Sequence, residues 1–153
     1  MRILFAIVLF SLSAVMAAED KAADQKQFLG RWRMNVEKSR AAHRDDVVGD
    51  RLWRSYERDG DRVRAAWGDE TGETGSYWAK CTGRPEKVLE GMSIRCWQGA
   101  SMVIEGEQLG KGDGKHKYSR REVSADGSTM TLTWFEDEKR TVVSDRFVFE
   151  RVK

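Results

Sequence analysis

From about residue 28 onward, polar and apolar residues alternate with period two along most of the chain, which predicts strands rather than helices. In Thr129 to Phe135, Met130, Leu132 and Trp134 share one face, and Thr129, Thr131 and Thr133 share the other. Val63, Ala65 and Trp67 alternate with Arg62, Arg64 and Ala66 in the same manner, and Met92, Ile94 and Cys96 alternate with Ser93 and Arg95. Compact turn signals separate these runs: Arg58-Asp59-Gly60-Asp61, Gly72 to Gly75, Thr82-Gly83-Arg84-Pro85, Gly110 to Gly114 and Ala125-Asp126-Gly127-Ser128. Asp-Gly between alternating runs signals a hairpin. Roughly eight to ten strands follow, near residues 29–35, 51–58, 62–68, 75–81, 92–98, 101–107, 117–124, 129–136 and 140–151. Successive short hairpins predict an all-β fold, an antiparallel up-and-down β-barrel whose closure removes exposed strand edges. A sandwich would need longer crossovers than most of these connections. The one long connection, Val36 to Asp50, contains EKSRAAHR, which suits a short helix across a barrel mouth.

The N-terminal stretch MRILFAIVLFSLSAVMAAED departs from the alternation. One basic residue, an apolar run from Ile3 to Leu12 and small residues before Glu19 and Asp20 form the layout of a secretory signal peptide. The expected organisation is a signal peptide over 1–17 cleaved after Ala17, with Ala18 the neighbouring alternative, an N-terminal arm over 18–27, and one barrel domain over 28–153. The roughly 136 residues left after cleavage suffice for one domain with its own core. The first cysteine is Cys81, so no lipid-accepting thiol sits at the junction. The product is expected to be periplasmic or secreted, with no integral membrane segment after cleavage. In that oxidising compartment Cys81 and Cys96 are expected to pair, a loop closure contributing on the order of 3 kcal/mol. With 27 Lys and Arg against 25 Asp and Glu the chain is nearly balanced, which argues against nucleic acid as its partner.

Candidate chemistry is sparse. The large residues in the inward phase, Trp67, Met130, Leu132, Trp134, Phe147 and Phe149, supply either the apolar wall of a small-molecule pocket or an ordinary core. Leu109 to Lys117 holds three glycines and three lysines, but a phosphate cradle needs a helix after its glycines and here a strand follows from Tyr118. His43-Arg44-Asp45-Asp46 lacks the further ligands that a metal would require. His43 and His116 both fall in expected loops with no Ser or Cys motif near them, so neither catalysis nor a cofactor is expected.

Phe28-x-Gly30-x-Trp32 on the first strand resembles the opening of the calycins, the superfamily of lipocalins and fatty-acid-binding proteins. Gly30-Arg31-Trp32-Arg33-Met34-Asn35-Val36-Glu37-Lys38-Ser39 is similar to the G-x-W-x-x-N-x-x-K-S start of an exported bacterial lipocalin-like family of uncharacterised function. Tyr56 to Asp61 and Val123 to Thr131 resemble later strand-turn segments of that family. The resemblance implies a barrel closed at one end by Trp32, with an Arg of the last strand packed over the indole. Arg151, in phase with Phe147 and Phe149, is the candidate for that place, and Arg146 the alternative if a bulge shifts the register. Gly30, Trp32, Arg151, Cys81 and Cys96 are then structural. Fatty-acid-binding proteins hold a carboxylate partly through Arg-x-Tyr on the final strand, where this chain reads Phe147-Val148-Phe149, so an acidic ligand would need another cation. The expected function is a lipocalin-like binding protein holding a small hydrophobic or amphipathic ligand in the barrel. The alternative is a filled barrel that acts as a protein-protein interaction module or inhibitor in the cell envelope.

Overall fold

The computed structural model describes residues 27–41, 52–97, 103–108 and 118–153. The expected signal peptide, most of the arm, His43 to Asp46, the glycine loop at 110–114 and His116 lie outside the described residues. Ten strands form a single antiparallel sheet that curls into a half-barrel. They are β1 (Gly30–Met34), β2 (Trp53–Asp59), β3 (Arg62–Asp69), β4 (Gly72–Lys80), β5 (Glu86–Leu89), β6 (Met92–Trp97), β7 (Val103–Gln108), β8 (Tyr118–Val123), β9 (Thr129–Phe135) and β10 (Val143–Arg151). A short helix, α1 (Val36–Ala41), follows β1.

The strand order is β4-β3-β2-β1-β10-β9-β8-β7-β6-β5. Each neighbour in the sheet is a neighbour in the chain except at β1 and β10, where the first and last strands pair. The hairpin turns enforce this order. At β2–β3 Gly60 takes φ 56°. At β8–β9 Gly127 takes φ 68°, and the Asp126 carboxylate accepts hydrogen bonds from Ser124 Oγ at 2.5 Å and Ser128 N at 3.1 Å. The described strands make no Greek-key crossover and all belong to this one curled sheet.

Two details differ from the alternation pattern. β5 is a strand that alternation does not reveal: Glu86-Lys87-Val88-Leu89 follows Pro85 directly, is four residues long, and places its two apolar residues side by side. β4 begins at Gly72, earlier than the expected 75–81, because the turn is Glu70-Thr71 alone. There the Asp69 carboxylate accepts from Thr71 N at 2.8 Å and Thr71 Oγ1 at 2.6 Å, and Gly72 supplies φ 136°.

The stretch from Gly30 to Ser39 builds the joint between β1, α1 and β10. Gly30 adopts φ 115°, and a side chain there would press on the Arg151 guanidinium at 3.0 Å. Trp32 is fully buried and donates its indole N–H to Phe28 O at 3.0 Å. Arg151 lies opposite Trp32 in register, with its guanidinium carbon 4.3 Å from the ring centroid. Asn35 caps α1 by accepting Lys38 N at 2.8 Å, and Lys38 Nζ meets Glu150 at 2.7 Å. Where β1 ends, the exposed ladder of β10 is taken over: Asn35 N donates to Val148 O at 2.8 Å, and Val148 N donates to Ser39 Oγ at 2.9 Å.

The free edges β4 and β5 are consecutive in the chain and are tied by other means. The Cys81–Cys96 disulfide joins the end of β4 to β6. Gly83 N donates to Cys96 O at 2.8 Å, and Lys80 N on the β4 edge donates to the Glu86 carboxylate at 2.7 Å. A side-chain oxygen thus supplies the acceptor that a partner strand would have supplied.

Arg151→Met should lower unfolding stability by on the order of 3 kcal/mol in urea titrations, because three charge-assisted hydrogen bonds and the ring contact go together. Replacing both cysteines by serine should cost a similar amount, about 3 kcal/mol, without changing the far-ultraviolet circular dichroism of the folded protein.

Candidate functional site

Register fixes which side chains face the concave side. Phe149 lies opposite Met130 and Phe147 opposite Leu132, while Trp134 lies opposite Asp145 and Trp67 opposite Arg54. All six residues expected to line the interior therefore occupy one face. Met130, Leu132 and Phe149 are fully buried and Phe147 nearly so. Trp67 and Trp134 are half-buried against this cluster. Trp67 lies across β4 at Gly75, where any Cβ would collide with the indole. The fully buried end of the interior is finished by Phe28 packed edge-on to Tyr56 at 4.3 Å.

Polar groups that alternation did not single out share this face. Tyr56 and Tyr77 are 1% and 5% exposed, and Arg121 is 5% exposed. Register carries them inward with apolar partners: Tyr56 and Tyr77 both pair with Ala65, Arg121 pairs with Leu132, and Arg54 with Trp67. Arg54 is part-exposed as a residue, but its Nε is enclosed and its guanidinium reaches over the Phe149 ring, 5.7 Å from the centroid.

These four residues leave buried atoms without hydrogen-bond partners among the described residues: Arg54 Nε, Arg121 Nε and Nη1, and the hydroxyls of Tyr56 and Tyr77. Native interiors seldom tolerate this, and each such group calls for a physical reason. Burial holds the Arg54 pKa below its usual value, and the neighbouring Arg121 charge lowers it further. The Tyr56 hydroxyl favours the charged form of Arg54 without standing at hydrogen-bonding geometry. Burial likewise pushes the Tyr77 hydroxyl upward, opposed by the Arg121 charge. No carboxylate among the described residues figures in the field at Arg54 or Arg121. The buried Asp145 lies on the same face, opposite Trp134 and in phase with Phe147, but its carboxylate is not among the groups that act on Arg54 or Arg121.

The signal for one of these cations was present in the sequence. Consecutive strand residues point to opposite faces, so Arg120-Arg121 in β8 must place one arginine inside. Arg54 gives no such sign, because Trp53 and Tyr56 are out of phase and either face of β2 could be inward.

The outer surface offers a contrasting groove between β1, β2 and the β3–β4 turn, lined by Arg31, Arg33, Trp53, Asp69 and Glu70. Two of its groups already have partners: Trp53 Nε1 donates to Asp69 O at 2.8 Å, and Arg31 stacks on the Trp53 ring at 4.8 Å. Among the described residues, no group of three His, Cys, Asp or Glu is placed to hold a metal, and no helix is long and apolar enough to cross a membrane. No protein-family model matches the chain, and no curated protein matches its sequence.

Arg121→Met should leave the fold intact and raise the stability of the ligand-free protein by about 1 to 4 kcal/mol, measured by chemical denaturation, since an unpaired buried cation is replaced by an apolar chain of similar length. A loss of stability would mean that the guanidinium is satisfied by the chain itself.

Proposed function

We propose that the chain is an exported, lipocalin-like binding protein whose curled sheet closes around a small amphipathic molecule, held against its inner face. The observation that carries this reading is the set of buried, unpartnered polar groups on Arg54, Tyr56, Tyr77 and Arg121 within an apolar wall. A binding pocket is built this way, with much hydrophobic lining and a few convergent polar groups. A core made only for stability has little use for two cations that meet no counter-charge among the described residues. Six aromatic and aliphatic residues, Trp67, Met130, Leu132, Trp134, Phe147 and Phe149, supply the apolar side of the site.

Export is supported by the apolar N-terminal stretch and by the disulfide, which persists in oxidising compartments. The similarity of Gly30 to Ser39 to a lipocalin-like opening supports the barrel class, and the placing of β4 and β5 at the two free edges is what remains of an up-and-down barrel cut at one seam. A filled barrel that binds a protein partner is favoured by the complete burial of Met130, Leu132 and Phe149. Against it stand the four unpartnered polar groups.

Native mass spectrometry of protein taken from its own envelope, followed by organic extraction, should release a stoichiometric small molecule. The stripped protein should then bind a hydrophobic fluorescent probe with a change in tryptophan emission. Protein that comes out empty and ignores such probes would overturn the binding-protein reading.

A further inference from the structure

We infer that the interior site takes an oxyanion bearing two negative charges, a phosphate monoester head carried on an apolar body, with Arg54 and Arg121 as its counter-charges. This rests on the reading above that the interior holds a ligand, and it goes further by fixing the ligand's charge and head group.

Charge balance leads there first. Arg54 and Arg121 share the concave face, the first with its guanidinium over Phe149 and the second opposite Leu132; the Arg121 charge acts on Arg54, the two tyrosines favour the charged form of Arg121, and no described carboxylate acts on either. A single carboxylate would leave one of these cations uncompensated in an apolar enclosure, which is costly. A phosphate monoester carries about −1.5 to −2 charges near neutral pH and closes the balance.

Hydrogen-bond capacity leads to the same class. The unpartnered donors are Arg54 Nε, Arg121 Nε, Arg121 Nη1, Tyr56 OH and Tyr77 OH. A carboxylate has two oxygens with about four acceptor sites, fewer than these donors. A phosphate monoester presents three terminal oxygens and accepts from all of them. Guanidinium forks suit phosphate oxygens geometrically, and phenol hydroxyls complete the ring without adding charge. Wall and head group are also close together: the Arg54 guanidinium lies over Phe149, and Arg121 stands opposite Leu132, so an apolar body attached to the anion meets hydrocarbon at once.

The test compares four ten-carbon amphiphiles at submicellar concentration on the stripped protein at pH 8, by calorimetry and tryptophan fluorescence: decyl phosphate, decyl sulfate, decanoate and decanol. Decyl sulfate has the three terminal oxygens with one charge, and decanoate has two oxygens with one charge. Decyl phosphate should bind at least about tenfold more tightly than either monoanion, and decanol should be weakest. Arg121→Met and Arg54→Met should each weaken decyl phosphate by on the order of 30-fold or more while leaving decanol unchanged. Tyr77→Phe, which removes one donor without altering the core, should give a smaller loss and serves if an arginine variant fails to fold.

Equal affinity for decanoate or decyl sulfate and decyl phosphate would overturn the dianion. Equal affinity for decanol would overturn the anion site altogether while leaving the binding-protein reading in place. Should no decyl compound bind, inorganic phosphate becomes the deciding probe. A rise in unfolding temperature in the native sequence but not in Arg121→Met would keep the anion site and remove the carrier reading, and no rise in either would remove both.

Discussion

The contact between Arg151 and Trp32 is the constraint on which the rest of the sheet depends. A meander of ten strands has no intrinsic reason to bring its first and last members together, and β1 with five residues is too short to hold β10 by ladder bonds alone. Arg151 supplies what is missing. Its Nε donates to Gly127 O at 2.8 Å, Nη1 to Leu29 O at 2.6 Å, and Nη2 to Gln27 O, while its face covers the Trp32 indole. One side chain therefore ties the segment before β1, the β8–β9 turn and the end of β10. Gly30 leaves room for the guanidinium to pass, and Trp32 provides the surface on which it lies.

That arginine also gives the standard by which the interior ones are judged. Each nitrogen of Arg151 finds a carbonyl, so its charge is solvated by the protein and the group stabilises the fold. Arg121 is buried and Arg54 part-buried among hydrocarbon, the Arg121 charge disfavours that of Arg54, and their enclosed N–H groups find no partner among the described residues. The same residue type is thus a latch at one end of the sheet and an unfinished contact in its middle. The difference comes from backbone geometry: Arg151 sits where strands end and carbonyls are free, while Arg54 and Arg121 sit inside ladders whose carbonyls are already taken.

Alternation made the strands, the turns and the inward apolar residues readable, because one buried face imposes period two and glycine or Asp-Gly pairs mark where the chain reverses. Met130, Leu132, Phe147 and Phe149 were legible for that reason. β5 was not, since a four-residue edge strand with one charged pair shows no alternation to detect. The polar half of the site was illegible for a different reason. An arginine in a strand is by default an outward, solvated residue, and only register against a neighbour shows that Arg54 and Arg121 share a face with Trp67 and Leu132. Adjacent arginines at 120 and 121 are the exception, because the pleat alone forces one of them in.

The stretch from Gly30 to Ser39 has structural work for five of its residues. Gly30 admits the guanidinium, Trp32 carries it, Asn35 caps α1, Lys38 pairs with Glu150, and Ser39 completes the β10 ladder. None of these belongs to the interior polar cluster. A chain could keep this joint unchanged and alter everything at Arg54, Tyr56, Tyr77 and Arg121 without losing the closure that the joint provides. The joint therefore decides how the sheet is held and is silent on what the sheet holds. The buried polar groups of the interior lie on β2, β4 and β8, away from that joint, and on the proposed reading it is these residues, not the joint, that choose the ligand.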